Sequence, residues 1–110
     1  MTGDTEMAST KKYLEFILGQ LSSLEEITSR AMMGEFIIYY LGKIVGGIYD
    51  DRFLIKPVRS AKAYMPVVSY ELPYEGGKEM LLVDNVDDKE FLAGLLDAMY
   101  DELPLPKAKK

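Results

Sequence analysis

The chain has 110 residues, of which 48% are hydrophobic and 28% charged, and 13 Lys and Arg against 18 Asp and Glu give it a net charge of −5 at pH 7. This size and composition predict one soluble domain with a single core, and the acidic excess argues against a dedicated nucleic-acid-binding domain, which normally carries a basic surplus. Cysteine, histidine and tryptophan are absent. Disulfide frameworks, thiol or histidine catalysis, and zinc, iron–sulfur or haem sites therefore lack their usual side chains, and we expect no cofactor, no metal and no catalytic residue.

The two ends of the chain differ in character from the middle. Residues 1–8 are small and polar, which predicts a disordered extension, and residues 104–110 are Pro-punctuated and basic, which predicts a flexible tail. A single domain is expected over residues 9–103. The longest apolar run, residues 36–41, is too short to span a bilayer, and the first ten residues lack a signal-peptide pattern. We therefore expect a cytoplasmic protein that does not enter a membrane.

The domain is predicted to open with an amphipathic helix. Ser9 or Thr10 can cap its first N–H groups, and the helix is expected to end by Glu26, because β-branched Ile27 and Thr28 favour extended backbone. Apolar residues recur at helical spacing on one stripe: Leu14, Ile17, Leu18, Leu21 and Leu24.

Strand character follows, and an antiparallel meander is predicted. The strands are expected at residues 29–33, 36–40, 43–49 and 52–56, joined by connections short enough for tight hairpins. Residues 36–40 are apolar on both faces, so helices on one side would leave the second face to be covered. We expect a homodimer in which Ile37 and Tyr39 face the partner copy. The alternative is that a short helix and residues 66–77 fold over this face.

The remaining elements complete an α+β layout. A short helix is expected at residues 60–65, strands at 67–72 and 79–83, and a last helix from Asp87 to Leu103 whose Asp87-x-x-Glu90 start is similar to a capping box. Helices segregated from an antiparallel sheet predict a two-layer sandwich, with the β-meander sheet in one layer and the helices packed on one face.

Several motifs have a structural interpretation that outweighs a functional one. Gly46 and Gly47 lie inside a predicted strand and indicate a bulge or the close approach of another backbone. Residues 76–78, Gly-Gly-Lys, lack the spacing of a phosphate loop and predict a flexible turn. The acidic residues 84–88 miss the calcium-loop pattern and favour helix capping over metal binding, and Asp50 and Asp51 are typical turn formers.

A candidate interaction surface lies in the strand region. The stretch from Arg30 to Lys62 is locally basic and interleaved with tyrosines, a combination that can serve nucleic acid, although charges scattered around a sheet rim are the favoured interpretation. Direct nucleic-acid binding is therefore not expected. The residues assigned to the candidate surface are Ile37, Tyr39, Arg52, Lys56 and Arg59.

The order of several short motifs resembles the N-terminal domain of the TfoX/Sxy competence regulators. The motifs are Arg30-Ala-Met-Met-Gly34, Ile38-Tyr39, Gly42-Lys43, Asp51, Phe53-Leu-Ile-Lys56 and Ser69-Tyr-Glu-Leu-Pro73. Met33 departs from a usual Phe, and Glu35 replaces a second glycine. The resemblance implies a two-layer fold and a regulatory, non-enzymatic role in transcription through a protein partner. The alternative from another class is a small-molecule-binding domain or an enzyme that uses the tyrosine-lined sheet face.

Overall fold

The structure is a computed structural model that describes residues 10–32 and 34–104. The predicted extension at residues 1–8 and all but the first residue of the predicted tail lie outside the described residues. The helices are α1 (Lys11–Gln20), α2 (Arg59–Tyr64) and α3 (Lys89–Met99), followed by a 3₁₀ turn (Tyr100–Glu102). The strands are β1 (Ile27–Met32), β2 (Glu35–Tyr40), β3 (Lys43–Ile48), β4 (Phe53–Ile55), β5 (Tyr70–Glu71) and β6 (Met80–Leu82).

The six strands form one antiparallel sheet in the order β1-β2-β3-β4-β6-β5. The first four make the predicted meander. Leu41 and Gly42 join β2 to β3 with φ angles of 50° and 84°, and Asp50 and Asp51 join β3 to β4 with φ angles of 55° and 56°. Two successive residues with positive φ give the tight hairpin turn whose twist matches that of the strands. The prediction that Asp50 and Asp51 are turn formers is confirmed.

All three helices pack on the same face of the sheet. They share one cluster of buried residues with the strands. The helices contribute Leu14, Ile17, Ala61, Leu92, Leu95, Leu96 and Met99. The sheet contributes Ile38, Tyr40, Val45, Ile48, Phe53, Ile55 and Leu81, and Val83 joins them directly after β6. Burial of this apolar surface is the main force that holds the layers together. The predicted two-layer α+β sandwich is confirmed.

The first helix is shorter than predicted. Thr10 caps it as expected, its hydroxyl accepting from the N–H of Tyr13 at 3.2 Å. The helix ends at Gln20, within the predicted limit of Glu26 but before the last two leucines of the predicted stripe, Leu21 and Leu24. Beyond Leu21 the backbone changes to bonds three residues apart, such as Leu24 N–H to Leu21 O at 3.0 Å. Ser22 and Ser23 follow, and serine favours turns over helix interiors because its hydroxyl competes for backbone groups.

The last helix is capped by a different residue than predicted. Asp88, not Asp87, is the N-cap, and its carboxylate accepts from the N–H of Phe91 at 3.0 Å. The helix itself ends at Met99 and tightens into the 3₁₀ turn before Leu103. Two adjacent aspartates in the sequence could each serve as the N-cap. The direction of the backbone at the start of the helix decides that Asp88 does so.

The two last strands are also shorter than predicted. The fifth covers only Tyr70 and Glu71, and Val67 is 71% exposed before it. Pro66 and Pro73 flank this segment, and since proline has no N–H to donate, it limits ladder formation. The sixth strand covers Met80–Leu82 and pairs with both β4 and β5.

Gly46 and Gly47 lie at a bulge in the third strand. The register between β2 and β3 shifts between Ile38 and Tyr39, which pair with Gly46 and Ile44 and so leave Val45 as the extra residue. A Cβ on Gly46 would overlap the carbonyl oxygen of Leu54 on β4. Both parts of the prediction, a bulge and a close backbone approach, are therefore confirmed.

Replacing Gly46 with Ala should destabilise the protein by about 3 kcal/mol or more, because the new methyl group meets backbone atoms that cannot rotate away. Gly19→Ala is the matched control. Its Cβ would meet nothing within 4 Å in α1, so we expect a gain of about 0.5–1 kcal/mol. Urea unfolding of both variants measures the difference, and equal effects of the two substitutions would contradict the close approach at Gly46.

The cap and the stripe of α3 give a second test. Asp88→Ala should cost about 1 kcal/mol by removing the cap, and Leu95→Ala should cost about 2–5 kcal/mol by leaving a cavity at a fully buried position. Asp87→Ala is the control and should cost less than Asp88→Ala. Denaturant melts that ranked Asp87→Ala above Asp88→Ala would show that the cap is assigned to the wrong residue.

Candidate interaction face

The face of the sheet that points away from the helices is also apolar. The pairing register places one row of residues across five strands on this face: Arg30, Ile37, Gly47, Leu54 and Leu82. Leu54 is fully buried although no helix packs on its side, and it forms a second cluster with Tyr49 and Met80. We call this side of the sheet the open face.

Part of the open face is covered by the protein's own chain. Gly47 leaves a gap in the row, and the ring of Tyr49 lies over it, since a Cβ on Gly47 would come within 2.9 Å of that ring. Tyr74, from the loop between β5 and β6, packs on Tyr49 with ring centroids 6.2 Å apart. The idea that residues 66–77 fold over this face is therefore right for the loop around Tyr74.

The short helix does not take part in this cover. It packs against α3 on the opposite side of the sheet, where Ala61 and Met65 belong to the main core. A Cβ on Gly94 of α3 would overlap the hydroxyl of Tyr64 on α2, so the two helices are in close contact. The proposal that the short helix covers the open face is wrong, because its apolar positions match the helical layer.

An open groove of about 520 Å³ remains on the part of the open face that the Tyr74 loop leaves uncovered. Its lining is mainly aliphatic and aromatic, with two lysines and one glutamate. The lining residues are Met32, Ile37, Tyr39, Ile44, Gly46, Tyr49, Lys56, Pro73, Tyr74, Gly76, Gly77, Lys78, Glu79 and Met80. We call this the open groove. Its walls come from β1 and the Tyr74 loop, and β2, β3 and β6 form its floor.

The structure brings together three of the five residues that sequence reasoning selected. Ile37, Tyr39 and Lys56 all line the open groove. Arg52 lies beside it, in a smaller depression that it shares with Glu35 and Tyr74. Arg59 is separate from the groove, because it is the first residue of α2 on the helical side.

Arg52 is held in place by the chain around it. Its guanidinium pairs with the carboxylate of Glu71 at 3.1 Å and donates to the carbonyl of Leu72 at 3.0 Å, while its Nε donates to the carbonyl of Tyr49 at 3.1 Å. An exposed ion pair of this kind contributes about 0–1 kcal/mol. These contacts tie the β3–β4 turn to the end of β5, so Arg52 positions the Tyr74 loop at the edge of the groove.

Two ionisable groups beside the groove have shifted pKa values. Burial raises the pKa of the Tyr49 phenol, and the nearby Tyr74 and Glu35 raise it further. Burial also raises the pKa of Glu35, with a contribution from Asp50 that the Arg52 guanidinium opposes. A phenol is already neutral at physiological pH, and the raised pKa of Tyr49 reflects its apolar surroundings in the wall of the groove. A neutral phenol there suits apolar contact and hydrogen bonding.

Sequence reasoning missed part of the groove. The sequence places Met32 and Met80 only in predicted strands, and it places Tyr74 only within residues 66–77, the segment that could fold over this face. Gly47 is the sequence signal for the position of Tyr49. A glycine within a strand leaves room on its face for the ring of an aromatic residue two positions later. The Gly76-Gly77-Lys78 segment is a turn, as predicted, with the N–H of Gly77 bonded to the Tyr74 carbonyl at 3.0 Å.

A second group of polar side chains lies on the helical side, where β2 meets the end of α3. The hydroxyl of Tyr40 donates to Asp97 at 2.5 Å, and the rings of Tyr40 and Tyr100 pack edge to face at 5.5 Å. Lys43 donates to the carbonyl of Tyr100 at 3.2 Å and lies over its ring. This group fastens α3 to the sheet by charge-assisted and cation–π contacts.

The chain is similar in sequence and in length to a known bacterial protein. The chain is 29% identical over 105 residues to a protein of Spirochaeta aurantia described as an uncharacterized 12.7 kDa protein in the trpE 5′ region, with 94% of this chain and 91% of that protein covered. No family model matches the chain, and no solved structure matches it.

Within residues 10–32 and 34–104, none of the helices has the length and apolar character needed to cross a membrane. The same residues hold no group of three or more acidic side chains arranged to bind a metal ion.

The Tyr40–Asp97 bond predicts a specific loss of stability at alkaline pH. The hydrogen bond to Asp97, with burial, raises the pKa of Tyr40 to about 12. A raised folded-state pKa means that the bond's stabilisation is complete below the unfolded value of about 10 and is lost as pH rises towards 12. Tyr40→Phe should lower the free energy of unfolding by about 1–2 kcal/mol at pH 8.

The difference between wild type and Tyr40→Phe should shrink between pH 10 and pH 12, which thermal or urea melts over this range will measure. Tyr39→Phe is the control, because the Tyr39 side chain lies on the open face and lines the groove instead. A difference for Tyr40→Phe that stayed constant up to pH 12 would contradict the bond.

Proposed function

We propose that this protein is a non-catalytic interaction domain that binds an apolar segment of a protein partner in the open groove. The observation that carries the proposal is a groove of about 520 Å³, lined by aliphatic, aromatic and glycine residues together with three charged side chains, left open on a sheet face that the Tyr74 loop covers only in part. Ile37 and Tyr39 lie half-buried in this groove. Exposed apolar surface next to a well-packed patch is typical of interaction sites in otherwise polar surfaces.

A protein segment suits the groove better than a small molecule does. Small-molecule sites enclose most of their ligand and place several polar groups around one point. Here the groove is open to solvent along the sheet, and Lys56, Lys78 and Glu79 are the charged residues in a lining that is otherwise aliphatic, aromatic or glycine. We expect a partner segment with apolar residues for the floor and an acidic residue near Lys56.

The resemblance to the TfoX/Sxy N-terminal domain supports a biological role for this binding. It suggests a partner that is itself a transcription regulator, with the domain acting in the cytoplasm through that partner. Direct contact with nucleic acid is not part of the proposal, because the net charge of −5 opposes phosphate binding. Arg52, one of the basic residues of the candidate surface, is already engaged with Glu71.

The proposal is tested with an affinity pull-down from the native cytoplasm followed by binding measurements with the purified partner. Ile37→Glu places a charge in the groove, and it should weaken binding by about 10- to 100-fold, as expected for a central apolar contact. Val67→Glu is the matched control. Val67 is apolar and 71% exposed but does not line the groove, so its variant should bind like the wild type.

Three outcomes would contradict the proposed function. Equal capture of the partner by both variants would separate binding from the groove. Salt-dependent retardation of duplex DNA that disappeared when Arg52, Lys56 and Arg59 were changed to Ala would transfer the function to nucleic acid. A small metabolite that copurifies with the wild type and is lost from Ile37→Glu would favour the ligand-binding alternative. Melting curves of both variants confirm that each is folded before binding is compared.

A further inference from the structure

The two edges of the sheet are built differently. At one edge, β5 contributes only two residues and is followed closely by Pro73. At the other edge, β1 has six residues in regular register with β2, carries Arg30 as its one charged residue, and contains neither proline nor a bulge. Short strands, proline, bulges and charge are the features that keep a sheet edge from pairing with another chain. β5 has such protection, whereas β1 has little of it.

The outward-facing backbone groups of β1 are identified by its pairing with β2. The N–H of Leu41 donates to the carbonyl of Glu26 at 3.0 Å, which makes Glu26 and Leu41 a hydrogen-bonded pair. Because such pairs alternate along an antiparallel ladder, the next β1 residues that bond to β2 are Thr28 and Arg30. The N–H and C=O groups of Ile27, Ser29 and Ala31 therefore point away from the sheet. Within the residues that the structure describes, no strand lies beyond β1 to pair with these groups.

β1 is complementary to itself when it is turned about Ser29. Residues directly opposite each other in an antiparallel pair have side chains on the same face of the sheet. A two-fold axis normal to the sheet leaves every residue on its own face, so the axis must lie between one residue and the same residue of the second copy. An axis at Ser29 makes the outward groups of both strands meet, sets Thr28 opposite the partner subunit's Arg30, and sets Ile27 opposite the partner subunit's Ala31. An axis at Arg30 would place two guanidinium groups opposite each other, which is unfavourable.

We propose that two copies of this protein pair through β1, antiparallel and centred on Ser29, so that their sheets join into one. Ser29, Ala31 and Ile27 then lie on the helical side of the junction, because their partners in β2 include buried Ile38 and Tyr40. Thr28 and Arg30 lie on the open side, where they line a surface depression with Tyr39. The open faces of the two copies become continuous across the junction.

This pairing places the dimer contact at the sheet edge and leaves Ile37 and Tyr39 free in the open groove. It does not depend on the proposed partner. Edge pairing is tested with substitutions in β1 that leave the groove unchanged, and partner binding with substitutions in the groove, so the failure of one proposal is distinguishable from the failure of the other.

Disulfide cross-linking of the full chain tests the register, and the absence of native cysteine makes a single introduced thiol unambiguous. Ser29→Cys should form a covalent dimer under mild oxidation, because the two Cα atoms of a centred pair lie about 5.5 Å apart, within the range of a disulfide. Ala31→Cys is the control on the same strand, face and exposure class. Its Cα would lie about 14 Å from its copy, at four residues of strand rise, so it should stay monomeric.

Sedimentation equilibrium measures the association itself. The wild type should show twice the chain mass of 12.4 kDa at micromolar concentration. Ser29→Pro removes an outward N–H without breaking the β1–β2 ladder, and it should raise the dimer dissociation constant at least about tenfold, since two symmetric hydrogen bonds are lost. Ser29→Ala keeps the N–H and should remain dimeric.

Three results would overturn the proposal. A wild type that stays monomeric throughout the concentration range excludes the dimer. A dimer that persists in Ser29→Pro, with Ser29→Cys failing to cross-link, places the contact elsewhere, for example on the open face. Equal cross-linking of Ser29→Cys and Ala31→Cys shows that the register is not centred on Ser29. Circular dichroism establishes that Ser29→Pro is folded, and the two cysteine variants decide the outcome if it is not.

Discussion

The sheet is apolar on both faces while the helices lie on one, and this imbalance shapes most of the structure. Ile38 and Tyr40 of β2 point into the helical core, and Ile37 and Tyr39, which alternate with them, point the other way. Burial of the first pair in the core shared with the helices stabilises the two layers. The second pair needs a different cover, and the loop between β5 and β6 supplies part of it. What the loop does not reach is the open groove.

Two adjacent glycines adapt the sheet to this arrangement in different ways. Gly46 lies at the bulge. Because it has no side chain, the backbone of β4 packs against it in space that a Cβ would occupy. Gly47 faces the open side and makes room for the ring of Tyr49, which in turn supports Tyr74. One glycine therefore serves the backbone of the sheet and the other serves the cover of its second face. The groove exists beside them because Tyr49 and Tyr74 fill only part of the row.

Polar contacts in this protein lie at the margins of the core. Among the residues that the structure describes, none that is polar or charged is fully buried. Instead, Thr10 donates to Asp51 at 2.8 Å, Ser60 donates to Glu102 at 2.8 Å, and Tyr40 donates to Asp97. Each of these bonds joins segments more than 40 positions apart. The bonds of Thr10 and Tyr40 fix helix ends on the sheet and its turn, and the bond of Ser60 ties α2 to the 3₁₀ turn. The apolar layers supply most of the stability.

The sequence by itself determined the fold class, the meander, the two tight hairpins and the meaning of Gly46, because these follow from local periodicity and backbone preference. It also placed Ile37 and Tyr39 on one face of the sheet, since side chains alternate along a strand. Tertiary structure alone decided that Asp88 and not Asp87 caps α3, and that Arg52 holds a loop while Arg59 lies apart. Tertiary structure also decided that Tyr74, from the loop between β5 and β6, covers Tyr49. Such contacts join residues far apart in the chain, and neither periodicity nor local propensity carries information about which distant groups will meet.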